Sequence, residues 1–291
     1  GLASRPQSPT STLGLARFGV YHVRPTMILA GDIGGTKTRI ALFDTDGEKL
    51  VRVAEETYAS AEHASLEDIL RLFRAAHRER CDRAGFGVAG PVRDGRADIT
   101  NLDWVVDAER LASELAIGEV HVINDLVATA YGIAAIASKD LVTLQRGVQD
   151  AAGNRAVVAA GTGLGQAGLF WNGSDHVPFG SESGHAHFAP ASALEDDLVR
   201  FLRHEEAQVS IERVLSGPGL HNVYRFLRDT GRGVESETLR QEIAAGDPSA
   251  AISRSALAGR DRLAVDALDL FVSIYGAQTG NFALAVLATG G

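Results

Sequence analysis

The residue of this sequence best suited to chemistry is an aspartate at the end of a short apolar run. In Glu119-Val120-His121-Val122-Ile123-Asn124-Asp125-Leu126-Val127-Ala128 the run stops at a polar pair and resumes as an Ala-rich, helix-forming segment. That pattern reads as strand, edge and helix. In an open α/β sheet such an edge is where ligands bind, because the strands' carboxyl ends open onto a crevice. Asp125 is the candidate catalytic base. The competing reading is that Asn124 or Asp125 caps the helix, its oxygen accepting a free backbone N–H. Two glycine-rich stretches, Gly31-Asp32-Ile33-Gly34-Gly35-Thr36-Lys37 and Gly161-Thr162-Gly163-Leu164-Gly165, each stand between strand-like runs. Glycine permits positive φ and close approach of N–H groups to an anion, while Thr36 and Lys37 add a hydroxyl and a cation. The first is not a Walker A loop, whose spacing is missing. Either alone reads as a hairpin turn. As a matched pair they suit a polyphosphate clamped between two hairpins from two domains.

A third polar stretch, Gly180-Ser181-Glu182-Ser183-Gly184-His185-Ala186-His187-Phe188-Ala189-Pro190, is too poor in apolar residues to be core, and Glu182 and His185 could project into one site. Glu182, His185 and His187 are also potential metal ligands, although no other His or Cys stands at a conventional ligand spacing. Ser210 reads as a helix cap with Glu212 in the first turn, where a carboxylate favours the positive helix end.

The elements that must position these groups follow from periodicity. Residues 27–30, 38–43 and 50–55 read as three antiparallel strands. Ser65 opens an amphipathic helix, with Asp68 as capping partner and Leu66, Ile69, Leu70 and Phe73 on its buried face. Residues 84–89 read as a strand closed by Gly90-Pro91, followed by a turn at Asp94-Gly95, and Asp107 caps a helix reaching about residue 117. After a linker-like segment at 146–154, residues 156–160 and 166–171 flank the second glycine turn. Residues 194–205 read as a helix. Leu220, Val223, Tyr224 and Leu227 mark the buried side of another helix, and 262–287 is largely helical and apolar.

The chain has 291 residues, 45% hydrophobic, enough for a sizeable core and for two domains. No apolar run approaches the roughly 18 to 20 residues that cross a bilayer. A net charge of -9 disfavours a nucleic-acid or acidic-membrane partner. The single cysteine, Cys81, excludes an internal disulfide and a cysteine-rich zinc site, and reads as a minor thiol near the end of a helix. Residues 1–26 contain no Asp or Glu, and Met27 is the only methionine, so 1–26 reads as upstream or appended sequence, expected to be disordered. Ending on Gly290-Gly291 straight after an apolar helix gives the chain the look of one cut short.

Taken in order, these motifs resemble those of the bacterial-type glucokinases, the branch of the sugar kinase, Hsp70 and actin superfamily without a zinc loop. The carriers are Gly31-Asp32-Ile33-Gly34-Gly35-Thr36, Thr100-Asn101 with Trp104, Ile123-Asn124-Asp125, Gly161-Thr162-Gly163-Leu164-Gly165, Glu182-x-Gly184-His185 with Phe188-Ala189-Pro190, and Val209-Ser210-x-Glu212-Arg213-Val214-Leu215-Ser216-Gly217-Pro218-Gly219-Leu220. The resemblance implies an α/β protein of two ribonuclease-H-like, actin-like ATPase domains flanking a cleft, a small domain at 27–135 and a larger one at 136–291. It implies ATP-dependent phosphorylation of glucose at its 6-hydroxyl, in the cytoplasm, with no nucleic acid or membrane partner and a homodimer as a family expectation. By position Asn124, Asp125, Glu182, His185 and Glu212 would hold sugar hydroxyls, Asp125 also being the base. Gly31, Asp32, Gly34, Gly35, Thr36 and Lys37 of the first hairpin, with Gly161, Thr162 and Gly163 of the second, would hold phosphates and the Mg²⁺ shell, Asp32 reaching the metal through water. The family continues beyond residue 291 with a glycine-rich adenosine-contacting segment and a returning helix. The rival expectations are a kinase for another hexose and an inactive sugar-binding protein.

Overall fold

The computed structural model describes residues 26–46, 49–99, 102–148 and 151–291. The readings of residues 1–25 and of Thr100-Asn101 lie outside the described residues.

The chain begins with three antiparallel strands, β1 (Thr26–Ile33), β2 (Lys37–Asp46) and β3 (Lys49–Ala59). Helix α1 (Leu66–Ala76) follows, its N-terminus capped by Ser65, whose Oγ accepts the Asp68 N–H at 3.3 Å. Strand β4 (Cys81–Val88) then runs parallel to β1. Cys81 therefore starts a buried strand rather than ending a helix. A small hairpin, β5 (Arg96–Asp98) and β6 (Val105–Asp107), leads into α2 (Ala108–Leu115), capped by Asp107, and β7 (Glu119–Asn124) runs parallel to β4. The five-stranded order β3-β2-β1-β4-β7 is that of a ribonuclease-H-like sheet, three antiparallel strands continued by two parallel ones. Leu29, Ile33, Ile40, Leu42, Phe73 and Phe86 are fully buried on it, and a buried methylene contributes about 0.8 kcal/mol.

Helix α3 (Asp125–Gly132) leaves the end of β7. Beyond it, β8 (Arg155–Ala160), β9 (Leu164–Trp171) and β10 (His176–Ser181) form a second sheet, a three-stranded antiparallel meander ordered β10-β9-β8. Helices α4 (Ala193–Leu202), α5 (Gly217–Asp229), α6 (Glu237–Ala245), α7 (Pro248–Leu257) and α8 (Arg262–Ala285) complete this half. Its core is a separate cluster including Leu198, Val214, Tyr224, Phe226, Ile252 and Leu263. All four expected residues of the α5 face, Leu220, Val223, Tyr224 and Leu227, are buried.

Three glycines let α3 touch both sheets. A Cβ at Gly87 of β4 would stand 3.0 Å from Ala128 Cβ, one at Gly180 of β10 would stand 3.5 Å from Val127 Cγ2, and one at Gly165 of β9 would collide with Leu126. The helix that carries the candidate base thus lies where the two halves of the molecule meet. None of the described helices is long and apolar enough to cross a membrane.

Candidate active site

At the β7–α3 junction the capping reading holds for Asn124. Asn124 is the N-cap of α3, its Oδ1 accepting the N–H groups of Leu126 at 3.0 Å and Val127 at 3.2 Å. Its Nδ2 donates to the Gly90 carbonyl at 3.1 Å. Gly90 follows β4 at φ 125°, a conformation that favours glycine and turns that carbonyl towards β7. Asn124 is therefore fixed from two sides, and it holds Asp125 on the first residue of the helix.

The Asp125 carboxylate accepts the Leu126 N–H at 2.8 Å. Burial raises its pKa above the ordinary aspartate value, and the carboxylates of Asp32 and Glu182 add to the rise while the Leu126 N–H opposes it. Asp32 comes from β1 and Glu182 from the segment after β10, so three acids from three elements meet electrostatically at one place. A cleft of about 500 Å³ is lined by one of these acids, Glu182, together with Asn124, Val127, Gly180, Ser181, Pro91, Val92 and Asp94.

The other acids gather around His185. Ser183–His185 form a 3-10 turn, and the His185 Nδ1 lies 3.3 Å from Glu182 Oε2 while its Nε2 lies 4.0 Å from Glu212 Oε1. Backbone pairing makes this meeting possible across the gap in sequence: Phe188 N–H donates to the Val209 carbonyl at 3.0 Å and Ile211 N–H to the Ala186 carbonyl at 2.9 Å. Glu212 sits in a 3-10 turn, Ile211–Arg213, rather than in the first turn of an α-helix, and Ser210 makes no side-chain cap. The true cap is Ser216, whose Oγ accepts the Gly219 N–H at 3.0 Å at the start of α5.

Glu212 also joins this group to the second glycine turn. Its Oε2 accepts the Leu164 N–H at 2.8 Å, and a Cβ on Gly163 would collide with that same oxygen. Gly163 is thus the seat of a carboxylate. Gly161, by contrast, has no heavy atom within 4 Å of where a Cβ would stand, and Thr162 is exposed beside it. In the first turn Gly34 N–H donates to the Lys37 carbonyl at 3.0 Å, and Asp32, Thr36 and Lys37 are exposed. The glycines at 34, 35, 161 and 163 do not use positive φ; at 34 and 163 a Cβ would crowd the Lys37 carbonyl and the Glu212 carboxylate. Gly31 lies within β1, where a Cβ would stand 2.6 Å from Phe86 Cδ1.

Two buried groups behind the first turn escaped the sequence reading. Ser60 Oγ donates to the Gly34 carbonyl at 2.7 Å and lies 3.0 Å from Thr38 Oγ1, both residues being fully buried, while Ser60 N–H donates to the Thr36 carbonyl at 3.0 Å. No local signal marks Ser60, because its partners are far away in sequence. Glu182, His185 and His187 do not form a metal-binding set: no group of three His, Cys, Asp or Glu suited to a metal occurs among the described residues. The donors near the first turn do fit Mg²⁺ in another manner. A hard cation that keeps most of its waters needs one or two carboxylates plus substrate phosphates, and Asp32, exposed near the end of β1, is a carboxylate of that kind.

The sheet order, the meander facing it and the acids between them define a two-part α/β protein of the actin-like ATPase type. A glucokinase family model matches residues 29–291. The chain is similar to a glucokinase of Nostoc sp., 42% identical over 282 residues that cover 91% of this chain and 82% of the relative. It is 40% identical to a glucokinase of Synechocystis sp. over 90% of this chain and 81% of that one. The crystal structure of a glucokinase from an Antarctic psychrotroph superposes with a TM-score of 0.75 at 31% identity, covering 91% of this chain and 81% of that one. The glucokinase of Balamuthia mandrillaris shares the fold with a TM-score of 0.68 at 23% identity, covering 92% and 79%. The chain belongs to the glucokinase family of enzymes.

Proposed function

We propose that the protein transfers the γ-phosphoryl group of ATP to the 6-hydroxyl of glucose, with Asp125 as general base. The observation that carries this reading is the placement of Asp125: a carboxylate at a strand end, its pKa raised by burial, beside a cleft that Asn124 and Glu182 line. A raised pKa brings a carboxylate closer to the working pH and makes it the better proton acceptor. Asp125 takes the proton of the 6-hydroxyl as that oxygen bonds to the γ-phosphorus, and the bond from that phosphorus to the β–γ bridging oxygen breaks, releasing ADP.

Phosphoryl transfer asks a protein mainly for positioning and charge neutralisation. In this reading Glu182, His185, Glu212 and Asn124 hold the other hydroxyls, the carboxylates accepting from them. Such groups are left unpaired by a wrong isomer, and this discriminates by up to about 10⁴ to 10⁵. Lys37 and Thr36, with the backbone at Gly34, Gly35, Gly161 and Thr162, would face the phosphates, and Asp32 would hold a hydrated Mg²⁺, which when bound would supply charge neutralisation on the phosphates. The reading includes a small domain at 27–135 and a large one at 136–291, supported by the presence of two separate hydrophobic clusters.

A coupled assay of ADP release with Mg-ATP and a panel of hexoses tests the reading. Turnover with glucose, at a kcat/KM above that for its epimers, is the expected result. Preference for another hexose, or glucose binding with no ADP release, would overturn it.

A further inference from the structure

The strand that presents the second glycine turn carries a buried amide that the reaction does not use. Gln166 is 1% exposed, and its Oε1 accepts a hydrogen bond from Ser183 Oγ. That hydroxyl accepts in turn from Ser181 Oγ at 2.9 Å, and Ser181 Oγ accepts the Ser183 N–H at 3.1 Å. Gln166 pairs directly with Ser181 across the β9–β10 ladder, so the three side chains form one short relay at the base of the segment holding Glu182 and His185.

The same strand supports the rest of the acid cluster. Two residues earlier, Leu164 gives its N–H to Glu212, and its carbonyl lies so close to Gly184 that no Cβ would fit there. Residues 164 and 166 point to the same side of a strand. One strand face therefore sets the 3-10 turn through Gln166 and Ser183 while its neighbouring backbone group anchors Glu212. Glu182, His185 and Glu212 are thereby registered against one another by β9.

The choice of glutamine here works against stability. Its Nε2 is buried and has no hydrogen-bond partner among the described residues, a state that costs about 1–3 kcal/mol. An apolar side chain would fill a strand position packed beside Val158 of β8 without that cost. A polar group kept at a cost in stability is explained by the geometry it fixes. We propose that Gln166 is a positioning residue for sugar binding, acting through Ser183 to hold Glu182 and His185 towards Glu212. This inference rests on the sugar-binding reading of those three residues.

Two measurements on Gln166→Leu test it, one of them independent of the substrate. In the ligand-free protein, amide exchange at Ser183 should speed up at least about tenfold. In the assay, the glucose KM should rise about tenfold, equivalent to about 1.4 kcal/mol, with the ATP KM and saturating turnover within about twofold of wild type. Thermal stability should hold or rise, since the unpaired Nε2 is gone. Ser183→Ala should reproduce both changes, Ser183→Thr should restore both by returning the hydroxyl, and the double variant should be no worse than either single one. Unchanged exchange in Gln166→Leu overturns the relay, and faster exchange with an unchanged KM overturns its role in binding. A wild-type enzyme preferring another hexose would refute the glucose reading alone, and that hexose's KM would then decide this one.

Discussion

The two sides of the cleft solve the same problem, holding polar groups at a sheet edge, by different means. On the first side the Asn124-Asp125 pair is fixed locally: one residue caps the helix that the next begins, and the distant contribution is the Gly90 carbonyl. On the second side Glu182, His185 and Glu212 come from two 3-10 turns, and Leu164 and Glu212 are separated by 48 residues. The glycine turns differ in the same way. The first is buttressed from behind by Ser60 and presents Asp32, Thr36 and Lys37, whereas the second is partly filled by the Glu212 carboxylate. Under the proposed function the first side would hold the reacting groups and the second the sugar in register with them, so damage to each should register in a different kinetic constant.

The largest effect should come from Asp125→Asn, which removes the proposed base and should lower kcat by about 10² to 10⁴ with a much smaller change in glucose KM. A loss expressed chiefly in KM would erase the contrast. Next is Glu212→Ala on the opposite side. Hydrogen bonds to charged groups contribute about 1.5–3 kcal/mol, so the glucose KM should rise roughly 10- to 150-fold while kcat at saturation falls far less. Gly163→Ala sharpens the comparison, because a phosphate turn and a carboxylate seat predict different outcomes. Its Cβ would push against the Glu212 oxygen, so the glucose KM should rise about tenfold and more than the ATP KM does. A rise confined to ATP would return Gly163 to the phosphates.

The smallest effect is one of stability. Burial raises the folded-state pKa of Asp125 above its unfolded value, so ionisation is penalised in the folded protein. Between those two pKa values the native state binds more protons, and stability falls as pH rises through the folded pKa. Above the folded pKa the penalty is fully present, and there Asp125→Asn should raise Tm. The difference from wild type should shrink as the pH is lowered past about 3.9, where both states are protonated. A difference independent of pH would show that the gain has another source.

Much of the first side was legible because its signals are local. The apolar run into Asn124-Asp125, the Ser65 and Asp107 caps and the glycine turn all act within a few residues. The second side was legible as motifs and not as geometry. Ser210 resembles a helix cap, but the chain at Phe188 and Val209 is held in extended pairing, which leaves room for a single 3-10 turn before Ser216 starts α5. The strand β10 lay partly inside what read as loop, since Gly180 and Ser181 have weak strand propensity and are held by pairing with β9. Helices α6 and α7 went unread although each carries a cap, Ser236 and Asp247, the latter followed by Pro248 at the first helical position. The charged residues around Cys81 mask the start of β4 in the sequence, and the pairing of that strand with β1 is what buries the thiol. Gln166 gave no signal at all: a lone glutamine in a strand acquires meaning only from Ser181 and Ser183 beside it.

Calorimetric titration of glucose into Asp125→Asn and Glu212→Ala, side by side with wild type, tests the division of labour most directly. Asp125→Asn should bind glucose within about tenfold of wild type while its turnover is lost, and Glu212→Ala should lose at least about tenfold in affinity. The converse, with binding abolished by Asp125→Asn and intact in Glu212→Ala, would contradict the assignment of chemistry to one side of the cleft and recognition to the other.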